Sequence, residues 1–214
     1  MFGSGHIETR QYNLSGFTAI RASRFEIEIS QSGGFGVTVR ADDNLFGRID
    51  VRTSGDTLIL RTRRMLFGLW RGTLEATITM PALTGIELHG AAKARVRDFR
   101  DIGRLDVTLG GASELRGKVE ADSMRIVTSG ASRASLAGSA DRVTVEASGA
   151  SRLDLAELAA STGALELSGA SRTTVNVASK IEYLEASGAS RVRYLGDPAI
   201  GRIDSSGASR VMRA

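Results

Sequence analysis

The chain has 214 residues, no cysteine, two prolines and 25 glycines, with 28 basic side chains against 24 acidic ones. Without thiols there are no disulfides or thiolate metal sites, and the basic excess is too evenly spread for a nucleic-acid surface: residues 1–80 carry ten basic and eight acidic groups, the remainder 18 and 16. No apolar run approaches the roughly 18 residues of a membrane span, so no transmembrane segment is expected.

Short β-rich runs come first along the chain. Phe17–Ile20, Phe25–Ile29, Val37–Val39, Ile49–Val51, Leu58–Leu60 and Leu74–Met80 are β-branched or alternate apolar with polar. Arg21-Ala22-Ser23-Arg24 resembles a worn copy of a corner that recurs later. Asp42-Asp43-Asn44 offers adjacent oxygens but lacks the spaced ligands of a calcium loop, and a turn leaving a strand accounts for it equally well. A different kind of segment follows, with Arg63, Arg64, Met65, Leu66, Phe67, Leu69, Trp70 and Arg71 close together between two strands. It reads as a loop or hairpin tip. Large apolar side chains there suit a lid on the N-terminal core, an interface with a second copy or a protein partner, or contact with an anionic membrane surface.

From residue 86 onward the chain repeats. Ser-Gly-Ala-Ser-Arg occurs five times, at Ser129–Arg133, Ser148–Arg152, Ser168–Arg172, Ser187–Arg191 and Ser206–Arg210. Two degenerate copies precede them, at His89–Lys93 and Gly110–Glu114. The glycines at 90, 111, 130, 149, 169, 188 and 207 are 19 to 21 residues apart, a period that marks a solenoid. Four positions before each glycine stand Ile86, Val107, Ile126, Val145, Leu165, Leu184 and Ile203, all apolar. Three before it are mostly polar residues, among them Glu146, Glu166, Glu185 and Asp204. This is the period of two that strands show, and it leaves no room for helices. The chain is therefore predicted to be all-β: a single-stranded, right-handed parallel β-helix of 19–20 residues per rung, each rung made of two or three short strands. Seven rungs would span about 29 Å. Gly, Ala and Ser suit the corners. Residues 1–214 are expected to form one continuous domain, with 1–85 as less regular, wider N-terminal rungs acting as a cap and 86–214 as regular rungs. No comparable cap is evident after residue 207.

These features together resemble the putative auto-transporter adhesin head GIN domain family of bacterial extracytoplasmic proteins. The resemblance rests on Gly3-Ser4-Gly5, Glu8-Thr9-Arg10, Leu14–Ile20, Val37–Leu45, Gly55–Leu60, Thr79–Leu83 and the Ser-Gly-Ala-Ser repeats, in that order. It implies a right-handed β-helix, export to the periplasm or cell surface, and often a lipid anchor just before the Gly-Ser-Gly segment. Met1–Gly5 itself shows no export signal, so a cytoplasmic location stays open.

Outward-facing charge supplies the remaining candidates. Arg133, Arg152, Arg172, Arg191 and Arg210 would form one column, about 5 Å apart from rung to rung. The carboxylates of Glu146, Glu166, Glu185 and Asp204 would stand across the corner. The two columns could neutralise each other as a solvated surface. Alternatively the arginines could hold a polyanionic glycan through forked contacts. His6 and His89 form no catalytic constellation, and neither a metal site nor a cofactor is expected. The leading reading is a non-enzymatic, extracytoplasmic surface-display or adhesin-like scaffold. A polysaccharide-binding or polysaccharide-active β-helix and a self-assembling structural β-helix are the alternatives.

Overall fold

Strand alternation and the 19-residue period resolve into stacked coils. The computed structural model describes residues 3–63 and 72–214. The N-terminal part holds β1 (Ile7–Tyr12), β2 (Ala19–Ser23), β3 (Glu26–Gln31) and β4 (Gly36–Asp42), then a 3-10 turn over Asp43–Arg48. After it come β5 (Ile49–Ser54), β6 (Thr57–Thr62), β7 (Leu74–Met80) and β8 (Gly85–His89). Five long strands follow: β9 (Lys93–Leu109), β10 (Glu114–Thr128), β11 (Arg133–Ala147), β12 (Arg152–Leu167) and β13 (Arg172–Ala186). Then come β14 (Arg191–Leu195), β15 (Ala199–Ser205) and β16 (Arg210–Arg213). Each long strand pairs in parallel with the next. The result is a β-solenoid of about seven turns.

A long strand makes nearly a whole turn, where the sequence suggested two or three short strands. It bends without breaking because pairing to the turns above and below resumes after local register shifts. Backbone permissiveness allows the bends. Gly138 has φ 115°, and a Cβ there would lie 2.0 Å from the Val119 carbonyl oxygen, so only glycine fits.

The corner is fixed by three features of Ser-Gly-Ala-Ser. Gly149 has φ 71°, and a Cβ would lie 2.6 Å from the Gly130 oxygen. That oxygen instead accepts the N–H of Ala150 at 2.7 Å, tying one corner to the next. The second serine is more than a small residue. Ser132, Ser151 and Ser171 are fully buried, and their hydroxyls donate to the carbonyls of Ser129, Ser148 and Ser168 at 2.9–3.0 Å. Inside the coil the apolar columns stack as the spacing predicts: Val107, Ile126, Val145, Leu165 and Leu184 are buried. Ile203, in the last described turn, is 39 % exposed.

The irregular first rungs have a definite order. β2 and β3 lie directly against β8 and β9, with Ser23 opposite His89 and Glu26 opposite Lys93. Arg24, with φ 66°, takes the place of the corner glycine. β6 and β7 lie against the other side of β2 and β3, also in parallel. They form a further turn outside one that precedes them in the chain. Among the described residues β6 and β7 pair with β2 and β3 and not with each other, and residues 64–71 between them lie outside the described residues. Antiparallel strands close the end: β5 on β6, β4 on β7 and β1 on β4.

Asp42 ties this cap together. It is 3 % exposed, and its carboxylate accepts the N–H of Gly5 at 2.7 Å and of Thr73 at 2.8 Å. The Ser4 hydroxyl donates to Asp43. The acidic pair therefore clamps Gly3-Ser4-Gly5 and the start of β7, which is a structural use of these oxygens.

Candidate functional site

Parallel pairing places the repeated arginines in strict register. Arg133 faces Arg152, Arg152 faces Arg172, Arg172 faces Arg191 and Arg191 faces Arg210. Each step is one rung, about 4.8 Å. All five side chains are exposed. Among the described residues, none makes an ion pair or a side-chain hydrogen bond. On the other flank of the corner, Glu146, Glu166, Glu185 and Asp204 are also in register.

The two columns do not neutralise each other. The acidic column is served by arginines on its own face: Arg125 meets Glu146 at 2.7 Å, and Arg202 pairs with Asp204 and lies 4.0 Å from Glu185. Tyr183 reports the field there. Burial, then the charges of Glu166, Glu146 and Glu185 together with a hydrogen bond to Glu166, holds its phenol above the usual value.

A second outward column stands beside the arginines, two residues further along each strand. It consists of Arg116, Ser135, Asp154, Thr174 and Arg193, again in register. The repeat contains it at a constant offset of five from each glycine, but its mixed composition hides it from a search for identical letters. Between the two columns runs an open channel of about 630 Å³, walled by six arginines and two carboxylates, Glu114 and Asp154. Arg116 engages Glu114 at 2.5 Å, which closes one end with a neutral pair. The acidic flank carries a comparable groove of about 520 Å³.

Other sequence candidates fall elsewhere. Arg63 ends the described stretch after β6, its N–H donating to the Arg48 carbonyl at 2.8 Å. Arg64, Met65, Leu66, Phe67, Leu69, Trp70 and Arg71 lie outside the described residues. His89 sits on the exposed corner with Nε2 2.6 Å from Glu87, which also binds Arg21. Burial alone would raise the Glu87 carboxyl, but the His89 and Arg21 contacts outweigh it and hold the group below its usual range. Among the described residues no group of acidic and histidine side chains is arranged to hold a metal ion, and no helix is long and apolar enough to cross a membrane.

Fold and surface together define a β-solenoid that presents charged columns along its length. The chain belongs to the family described as putative auto-transporter adhesin, head GIN domain, which matches residues 16–198. Solved structures share the fold. A putative adhesin from Bacteroides fragilis is 21 % identical with a TM-score of 0.88, covering 100 % of both chains. A putative lipid binding protein from Parabacteroides distasonis is 17 % identical with a TM-score of 0.75, covering 100 % of this chain and 99 % of that one. A putative adhesin from Parabacteroides merdae is 13 % identical with a TM-score of 0.70, covering 100 % of this chain and 98 % of that one. No curated protein matches the chain.

Proposed function

We propose that this protein is a non-enzymatic, adhesin-like surface-display module that works outside the cytoplasm and holds an anionic polymer along its arginine column. One observation carries the reading. Five guanidinium groups stand in register without a carboxylate partner among the described residues, while the acidic column across the corner has arginines of its own. Stacked like charges destabilise a sheet face, so an unneutralised column is a standing demand for anions. Arginine answers it with forked contacts to carboxylates or sulfates. The channel is open and its arginines are exposed, which suits a long ligand lying on a surface. Acid–base or nucleophilic chemistry uses a water-excluding site instead. The adhesin description of the family, and of relatives with the same fold, supports display outside the cytoplasm.

The test replaces Arg152, Arg172 and Arg191 by Ser and compares retention on heparin and alginate resins. The variant should elute at clearly lower salt, because fewer ion contacts are made. Retention equal to that of the unaltered protein sinks the reading.

A further inference from the structure

The channel's two walls differ, and the difference selects among anionic polymers. One wall is cationic on every rung, from Arg133 to Arg191. The centre of the other is Ser135, Asp154 and Thr174, in register with one another. Asp154 is exposed and accepts the N–H of Ala156 at 3.3 Å. It makes no ion pair with Arg152, two residues away on the same face. Elsewhere the same spacing does produce a pair, as in Glu114 with Arg116 and Asp106 with Arg104. A carboxylate thus stays available in the middle of a basic channel.

Such a carboxylate repels a polymer that is negative on every side, such as polyphosphate. It is a strong acceptor for hydroxyl groups, and the flanking Ser and Thr both donate and accept. The ligand that satisfies both walls is anionic along one edge and rich in hydroxyls along the other. Along a strand the walls are two residues, about 7 Å, apart, and along the axis each rung rises about 4.8 Å, close to the length of one linked hexose unit.

We infer that the channel takes a linear polyuronate lying along the solenoid axis, about one sugar per rung, with carboxylates on the arginine wall and ring hydroxyls on Ser135, Asp154 and Thr174. This rests on the anionic-polymer reading above and narrows it to one chemical class.

Titration calorimetry at fixed ionic strength, with EDTA present, separates the two levels. The probes are an oligogalacturonate, its methyl ester and an inorganic polyphosphate of similar charge. The unaltered protein should bind oligogalacturonate about tenfold more tightly than polyphosphate and should not bind the ester. Asp154→Asn should weaken oligogalacturonate and strengthen polyphosphate, each severalfold, and Arg152→Ser with Arg172→Ser should abolish both. If polyphosphate binds as tightly as oligogalacturonate and Asp154→Asn strengthens both, the polyuronate inference fails while the anionic-polymer reading stands. If neither polymer binds, or the double arginine variant binds like the unaltered protein, both fail. Circular dichroism of each variant checks that the coil is intact.

Discussion

The two flanks of the corner share one geometry and have opposite fates. Each carries a column of like charges at the rung spacing, placed by the same parallel pairing. On the acidic flank the neighbouring column supplies Arg125 and Arg202, which meet Glu146, Glu185 and Asp204. On the basic flank the neighbouring column supplies Ser135, Asp154 and Thr174 between its terminal arginines, and the ladder stays unpaired. A repeat therefore sets where charge stands. What stands two residues away decides whether that charge is spent inside the protein or left for a ligand.

The comparison breaks most completely at the shared corner. Gly169 has φ 71°, and an added Cβ would lie 2.6 Å from the Gly149 oxygen. Gly169→Val should cost about 3 kcal/mol or more, from backbone strain and the clash together, and should disturb both columns. Urea unfolding against the unaltered protein measures it, and a loss below about 1 kcal/mol would contradict this account of the corner.

Thr173 lies on the basic flank, in the inward column between Arg172 and Thr174. It is 3 % exposed, and its hydroxyl has no hydrogen-bond partner among the described residues. Thr173→Val keeps the shape and removes an unsatisfied group, so stability should rise by about 1 kcal/mol. A destabilised variant would mean that the hydroxyl is in fact satisfied.

Charge removal then sharpens the contrast. Arg125→Ala breaks an exposed pair and should cost less than about 1 kcal/mol. Arg172→Ser breaks none and relieves repulsion along the ladder, so its stability change should be smaller still or slightly favourable. Equal losses from both would erase the distinction between the flanks.

The smallest effect is spectroscopic. The carboxylate of Glu166 helps hold the Tyr183 phenol up, so Glu166→Gln should move its titration to lower pH, read as tyrosinate absorbance. The sign follows from linkage. A phenol raised in the folded state contributes stability that is complete below its unfolded value and is lost as pH rises through the folded one. Glu166→Gln should therefore also soften the alkaline loss of stability.

Much of this was legible in the letters. The positions of Gly149 and its equivalents set the period, and the apolar residues four positions before them marked the inward face. Arg21–Arg24 showed as a worn corner because its small residues survive, although Arg24 replaces the glycine. The role of the second serine was less legible, since its hydroxyl acts on a carbonyl three residues back and spacing alone shows only its size. Asp42 gave no sign of its use, because its partners Gly5 and Thr73 are distant in sequence. The segment around Phe67 and Trp70, conspicuous by composition, lies outside the described residues.

The sequence by itself determined the solenoid, its rung length and the in-register arginines, because a period-two strand repeated every 19 to 21 residues around the same corner stacks like upon like. Only the tertiary structure decided that the outer turn of β6 and β7 lies beyond β2 and β3, out of chain order. It also decided that Glu146, Glu185 and Asp204 meet arginines on their own face, while the repeated arginines meet no carboxylate among the described residues. Both depend on which residues meet across turns distant in sequence, such as Ala19 with Thr57 and Glu26 with Glu75 or Arg125 with Glu146, and pairing at such distances is settled by packing, not by local propensity.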